Sequence, residues 1–246
     1  MAKRLLDRQI RLLEYLTSGA AIFGGNPATM PDRTLHGIDR RLLDLEARFS
    51  YAKRMEKIAA VYPKTIAMLG RNQTAIFEDF VAACPPSDLS RLANARQFYD
   101  FLLTRWQSKP PRPRYLREVA ACELACAEVR VTAQEDGPGG LPGPSAVRRG
   151  DIRRRAGVVL LRCSYDIKAI FEERPGRGSP ARRSTSLAVA MPPGTHDPCV
   201  FEVEPAVFDL LGALDEWTDP IGLGIAPELD DLIRELADHG LVEVRG

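Results

Sequence analysis

The hydrophobic period of the chain changes once, across a stretch rich in glycine and proline at residues 134–157. Before it, apolar residues recur every three or four positions, which is the spacing of amphipathic helices. After it, short runs with alternating apolar positions are typical of strands. The three prolines and six glycines in between cannot build a packed core. We therefore predict an α+β protein: an all-α bundle at 1–133, a linker at 134–157 and a small α+β domain at 158–246.

The first half contains several helical patterns. One stripe predicts a long helix, because its members are four, three and four positions apart. The members are Ile38, Leu42, Leu45 and Phe49. Asn94 and Gln97 have the spacing of a capping pair, which predicts the start of a later helix. Cys122 and Cys126 lie on the apolar side of the last helix of this half, so we expect them to be small buried hydrophobic residues rather than metal ligands.

The charge and hydropathy of the chain argue against two classes of protein. Its 34 basic and 33 acidic residues leave a formal net charge of +1, which is too small for a nonspecific nucleic-acid binder. No apolar run approaches the length that spans a bilayer, and the charged first residues lack the apolar core of a signal peptide. We therefore expect a cytoplasmic protein.

The sequence also lacks the common motifs of catalysis. Its five cysteines and three histidines are scattered without the spacing of a metal site, and no phosphate-binding glycine loop or nucleophile elbow is present. We expect a noncatalytic chain that binds no metal or cofactor by itself. A stand-alone enzyme of unrecognised type is the alternative that turnover by the isolated chain would support.

The second half has the element order of a small winged-helix domain. Strands are predicted at 158–163, 187–191 and 200–203, where Phe201 and Val203 share one face and Val200 and Glu202 the other. Two helices and a short closing strand follow.

The last helix is too acidic to enter a DNA groove. Between residues 228 and 239 its single cation is Arg234, which faces five acids: Glu228, Asp230, Asp231, Glu235 and Asp238. These carboxylates would be repelled by phosphates, so an extended peptide added to a strand edge is the better ligand. Arg234 itself has the spacing to pair with Asp230.

Five arginines give the linker a local positive charge: Arg148, Arg149, Arg153, Arg154 and Arg155. We interpret this segment as solvated and flexible. Two alternatives stay open: a clamp for an acidic partner, and a DNA contact in a winged-helix transcription regulator, which salt-dependent retention on duplex DNA would reveal.

Two stretches of the second half resemble the PqqD-like recognition elements of ribosomal peptide (RiPP) biosynthesis. They read VFEVEPAVFDLLGAL and LDDLIRELADHGLVEV. The resemblance implies three strands followed by helices, with a leader peptide bound as an added strand between the third strand and the last helix. The short TDPIGLGIAPE departs from the family, in which a fuller middle helix is usual.

This resemblance implies a peptide-binding site on one strand and one helix. The strand residues are Val200, Phe201, Glu202 and Val203. The helix residues are Leu229, Leu232, Ile233, Arg234 and Leu236, and some of the apolar ones are expected to face the core and others the leader.

The first half resembles the helical domain of partner subunits of multinuclear nonheme iron-dependent oxidative enzymes, of the TglI and MbnC type. The matching stretches are YAKRMEKIAAVYPKTIAMLG, FEDFVAACPP, NARQFYDFLLTRW and YLREVAACELACAEVR. The resemblance implies a subunit that forms a heterodimer with a separate iron-dependent enzyme and delivers a precursor peptide to it. The iron would belong to that enzyme.

Arginine and tyrosine are enriched in interface cores, so such residues of the helical half are the candidates for partner contact. They are Tyr51, Arg54, Tyr62, Tyr99 and Arg105. For Tyr62 the alternative is packing at a helix junction beside Pro63.

Overall fold

The computed structural model describes residues 2–23, 35, 37–86, 88, 90–135, 151–172, 179–219 and 229–245. It contains both helices and antiparallel strands, so the predicted α+β class is confirmed. The chain divides into two compact units, Met1–Arg112 and Pro113–Gly246.

Among its described residues, the first unit contains helices and no strand. Its elements are α1 (Ala2–Leu16), α2 (Gly19–Phe23), α3 (Arg40–Ala59), α4 (Pro63–Leu69), α5 (Gln73–Ala83) and α6 (Arg91–Ser108), with a 3-10 turn at Gly70–Asn72. Phe98 of α6 is fully buried at its centre. The ring centroids of Tyr62, Phe77 and Phe80 lie 5.7, 5.5 and 5.1 Å from that of Phe98. Aromatic packing of this kind stabilises the helix junctions around α6.

The predicted capping pair at Asn94 and Gln97 is wrong. Helix α6 begins at Arg91, and the hydroxyl of Ser90 caps it by accepting from the Ala93 backbone N–H at 3.1 Å. A serine directly before a helix is a preferred cap. The Asn94 and Gln97 side chains lie within the helix and have another role, described below.

Helix α3 exists as predicted, but the stripe that predicted it does not face the core. Leu42, Leu45 and Phe49 are exposed, whereas the buried side includes Leu43 and Ala47. The helix has apolar residues on both sides, and spacing alone does not tell which side is buried.

The second unit contains all of the described strands. Its elements are α7 (Leu116–Glu135), β1 (Asp151–Arg154), β2 (Val159–Cys163), α8 (Lys168–Phe171), β3 (Thr185–Ala190), β4 (Cys199–Val203), α9 (Pro205–Ala213), α10 (Leu229–Asp238) and β5 (Val242–Arg245). The three predicted strands form an antiparallel sheet in the order β2-β3-β4. Strands β1 and β5 pair separately as an antiparallel ribbon.

The middle strand of the sheet is covered on both faces. Ala188 and Ala190 lie in a buried cluster with residues of α9 and α10. Leu187 and Val189 are also fully buried and point to the opposite face, since side chains alternate along a strand. Helix α7 packs against β2 and β3.

Helix α7 therefore belongs to the second unit, whereas the sequence placed it at the end of a bundle reaching residue 133. The Glu118 carboxylate accepts from the backbone N–H groups of Ser164 and Tyr165, at 2.8 and 3.1 Å, just beyond β2. The rings of Tyr115 and Tyr165 are 6.0 Å apart. The contacts divide the chain before α7 rather than after it.

The predicted linker needs a second correction, because residues 151–154 form strand β1. Ile152 is only 1% exposed, pairs with Val244 of β5 and also bridges to Thr218. Of the predicted linker, residues 136–150, which include Arg148 and Arg149, lie outside the described residues.

The three described linker arginines are held by contacts within this unit. Arg153 donates to Glu243 at 2.8 Å, Arg154 to the Leu211 carbonyl at 3.0 Å, and Arg155 to the Met191 carbonyl at 3.4 Å. These contacts argue against a solvated, flexible segment at these three residues.

Helix α10 ends in a Schellman motif at Gly240. The Leu241 N–H donates to the Leu236 carbonyl at 2.8 Å, and the Gly240 N–H donates to the Ala237 carbonyl at 2.9 Å. Gly240 has φ +71°, and an added Cβ would lie 2.6 Å from the Met191 carbonyl oxygen. A glycine is required here for both reasons.

Candidate functional site

Strand β4 is an edge strand of the sheet. Its register with β3 pairs Val200 with Val189, Phe201 with Ala188, and Glu202 with Leu187. Among the described residues, β3 is the one strand to which β4 is paired. Alternate residues of an edge strand direct their N–H and C=O groups away from the sheet, so β4 can accept a further strand.

One face of β4 borders helix α10. Phe201 and Val203 are half-buried and pack against the cluster formed by α9, α10 and the β1–β5 ribbon. The ring centroids of Phe201 and His239, the residue after α10, are 5.0 Å apart. The open edge of β4 therefore lies beside the C-terminal end of α10.

The opposite face of β4 carries a charged contact. The Arg183 guanidinium donates to Glu202 at 2.7 Å and to Asp166 at 2.9 Å. Helix α8, two residues after Asp166, contacts the same strand. The two carboxylates raise the pKa of the exposed Arg183, which stays cationic. A peptide added to β4 would meet an aromatic face on one side and this ion-pair network on the other.

The predicted helix residues do not form one surface. Ile233 and Leu236 are buried in the core cluster, and Leu232 is half-buried against it. The side chain of Leu229 lies outside the described residues. The structure therefore brings the β4 residues to an edge, while Ile233 and Leu236 are the helix residues that face the core and hold α10 on the sheet.

Arg234 is exposed on α10, but its predicted partner is wrong. Its guanidinium donates to Asp231 at 2.7 Å, three residues earlier, rather than to Asp230. The exposed acids Asp230, Glu235 and Asp238 complete a negative surface on this helix. That surface would favour a cationic ligand over a phosphate backbone.

Arg54 and Tyr62, two predicted partner contacts, are buried within the first unit. The Arg54 guanidinium donates to Asn94 at 2.9 Å, to the Cys84 carbonyl at 2.7 Å and to Gln97 at 2.6 Å. The Tyr62 hydroxyl donates to the Ala95 carbonyl at 2.8 Å. Both side chains join helices, which corrects their assignment to an interface and, for Tyr62, agrees with the helix-junction alternative.

The other three predicted contacts are partly accessible. Tyr51 packs edge-on against Phe23, with ring centroids 5.3 Å apart. The pKa of its hydroxyl is raised, mainly by burial and to a smaller extent by the nearby Glu78 carboxylate. Arg105 forms an ion pair with Asp79. Tyr99 is half-buried on α6. Tyr51 lies on α3, whereas Tyr99 and Arg105 lie on α6.

The cysteines of α7 and β2 have the character of core residues. Cys122 and Cys163 are buried, and Cys126 is half-buried. The hydrogen bond to Cys126, together with burial, raises the pKa of the Cys122 thiol. The pKa of the Cys163 thiol is raised to about 12, mainly by burial and to a smaller extent by the nearby Glu118 carboxylate. Protonated thiols such as those of Cys122 and Cys163 are poor nucleophiles and poor metal ligands. Within the described ranges, no three His, Cys, Asp or Glu side chains are grouped as a metal site.

Sequence reasoning did not single out His239 or Arg183 as site residues. His239 is one of three scattered histidines, and its nearness to Phe201 depends on how α10 crosses the sheet. Arg183 follows a loop rich in glycine, proline and arginine, which carries no pattern of its own. The one local signal for His239 is its position directly before the helix-ending Gly240.

The exposed large apolar side chains are confined to the first three helices. In the described part of the chain they are Leu5, Leu6, Ile10, Leu13, Phe23, Leu42, Leu45 and Phe49. The three on α3 share one face of that helix, whereas single exposed leucines are ordinary on protein surfaces.

No protein-family model matches the chain, and no curated protein matches it either. In the described ranges, no helix combines the length and the apolar character needed to cross a membrane.

Proposed function

We propose that this chain is a noncatalytic, cytoplasmic subunit that binds a ribosomally made precursor peptide and presents it to an iron-dependent oxidative enzyme. The leader of the precursor adds as a strand to the open edge of β4, beside α10. The sheet with α9 and α10 acts as a winged-helix-like recognition element. The helical unit contacts the enzyme, and the two proteins form a heterodimer.

The observation that carries this proposal is the geometry of β4. Its register leaves one edge without a partner strand among the described residues, and Phe201 of that strand lies against His239 of the helix end. Main-chain hydrogen bonds to the edge supply affinity, and the side chains on either face supply register. The resemblance to peptide-recognition elements predicts a ligand at the same strand.

The iron and the oxidative chemistry belong to the partner enzyme in this proposal. The chain contributes by tethering the leader, which raises the effective concentration of the peptide core at the iron site. The exposed acids of α10 favour leaders with basic residues next to the added strand.

DNA binding is the weaker alternative. The last helix exposes four acids, and its Arg234 is paired with Asp231. Arg153, Arg154 and Arg155 donate to groups of their own unit. These three linker arginines therefore offer phosphates little free positive charge.

Two proline variants at neighbouring positions test the strand addition. Consecutive residues of a strand direct their N–H groups to opposite edges, so one of Val200 and Phe201 donates to β3 and the other faces outward. Proline removes the donor. The inward proline should lower the melting temperature. The outward proline should leave it unchanged and weaken binding of the peptide that co-purifies with this chain at least about tenfold, as expected for losses of more than 1.4 kcal/mol.

Phe201→Ala is the matched control, because it removes the ring and keeps the N–H. Affinity is measured by fluorescence anisotropy of the labelled peptide, and co-purification of an iron-containing enzyme with the chain reports the heterodimer separately. Unchanged affinity in both proline variants would contradict strand addition at β4. An enzyme that binds the precursor equally well without this chain would contradict the delivery role.

A further inference from the structure

Helix α3 has apolar residues on two opposite sides, and only one side is buried. Leu43, Ala47 and Ile58 lie in the core of the first unit. On the other side, Leu42 is 61%, Leu45 48% and Phe49 54% exposed. A surface helix of a globular protein normally has a single apolar stripe, directed at the core. The second stripe therefore calls for an occupant.

The exposed stripe has the spacing of a helix–helix seam. Leu42 and Phe49 occupy a positions of a heptad, and Leu45 and the exposed Ala52 occupy d positions. We call these four residues the α3 seam. Apolar side chains at a and d positions leave spaces between them, and a second helix packs its own a and d side chains into those spaces.

Positive charge follows one flank of the seam. Arg41 and Arg48 occupy the two g positions, and both are exposed. Neither guanidinium has an acidic partner among the described residues. Glu46 and Lys53 occupy the e positions on the other flank. In a helix pair, these flanking positions select the partner by charge.

The flanking charges give a second copy of this chain no net attraction. In a parallel pair, Arg48 of one copy would face Lys53 of the other, while Arg41 would face Glu46. In an antiparallel pair, Arg41 would face Arg48, while Glu46 would face Lys53. In either arrangement a repulsive pair offsets an attractive one, whereas acidic residues opposite Arg41 and Arg48 would attract both arginines. A membrane surface also fits poorly, because a strict a/d stripe is narrower than the apolar face of an interfacial helix.

We propose that the α3 seam binds an amphipathic helix of a different protein, with apolar a and d positions and acidic residues along the flank that faces Arg41 and Arg48. All of the residues involved belong to the first unit. The inference is therefore independent of peptide binding at β4, and each can fail without the other.

Synthetic three-heptad peptides with leucine at a and d test this directly. One carries glutamate at e and g, and its twin carries lysine there. With the full chain, fluorescence anisotropy should show that the acidic peptide binds at least about tenfold more tightly than its twin. Leu42→Ser should reduce binding of the acidic peptide at least about tenfold. The double variant Arg41→Glu, Arg48→Glu should reverse the preference between the peptides.

The matched control is Leu5→Ser on α1, because Leu5 is 60% exposed, as Leu42 is 61% exposed. It should leave peptide binding unchanged. The inference is overturned if neither peptide binds, if both bind equally, or if Leu5→Ser acts as strongly as Leu42→Ser. It is also overturned if sedimentation shows a dimer that Leu42→Ser dissociates, or if phosphatidylserine vesicles bind the chain through Leu42.

Discussion

Arg54 is the buried cation that joins three helices of the first unit. Its guanidinium donates to Asn94 and Gln97 of α6 and to the carbonyl of Cys84, the residue after α5. The carbon of the guanidinium also lies 4.4 Å from the ring centroid of Phe80. Burial lowers the pKa of Arg54, yet the group stays protonated because arginine starts from a very high value. The residue acts as a polar connector within an otherwise aromatic core.

Arg54→Met should therefore destabilise the protein by about 3 kcal/mol, because the buried acceptors it satisfies lose their donor. Urea unfolding followed by circular dichroism measures the change. Arg105→Met is the matched control, since Arg105 forms an ion pair with Asp79 at the surface and should cost less than about 1 kcal/mol. Equal losses in the two variants would contradict a structural role specific to Arg54.

At the scale of the element, strand β1 shows how a short polar segment can be part of the core. Three of its four residues are charged, but Ile152 packs in the cluster that also contains Leu241 and Val242. The strand pairs with β5, about ninety positions later in the chain. Its place in the fold depends on this nonlocal pairing.

Ile152→Ala should lower the free energy of unfolding by about 2–4 kcal/mol, the usual cost of a cavity left by a buried isoleucine. A residue of a solvated linker would change it by less than about 0.5 kcal/mol. Ile10→Ala, at an exposed isoleucine of α1, serves as the comparison in the same denaturation experiment. A neutral Ile152→Ala would mean that β1 is not held in the fold.

The elements that the sequence predicted share local signals. Strands β2, β3 and β4 have β-rich runs bounded by glycine and proline, while Pro205 and Gly240 punctuate the helices around them. Strand β1 was missed because it contains a single apolar residue, and one apolar residue cannot show the alternation that predicts a strand. The buried side of α3 was missed because both of its sides are apolar. For the site, β4 was recognisable as a strand, but its edge position and the approach of His239 depend on strand order, which is a nonlocal property.

At the scale of the whole molecule, the boundary between the two units decides which fragment folds. Helix α7 packs on β2 and β3, and Leu187 and Val189 are buried in the middle strand. We expect a fragment of residues 113–246 to unfold cooperatively on heating. A fragment of residues 134–246 should lack a sharp transition, because removing α7 exposes apolar surface of the sheet.

Circular dichroism melting and the dispersion of amide NMR signals distinguish the two fragments. The shorter fragment starts at the boundary that the sequence suggested, and the longer one starts where the contacts divide the chain. If both fragments melt with the same sharp transition, α7 is dispensable for the second unit, and the boundary before residue 134 describes the chain better than the boundary before residue 113.

The open edge of β4 also has a consequence for handling the protein in concentrated solution. An unpaired strand edge is a template for association between molecules, and natural proteins limit this with short strands and charged side chains. Strand β4 has five residues and carries Glu202 in contact with Arg183. These protections are modest, so the empty protein should tend to self-associate on storage. A bound peptide would cover that edge and prevent this association. Once the peptide is in excess, the melting temperature of the protein should rise in proportion to the logarithm of the peptide concentration.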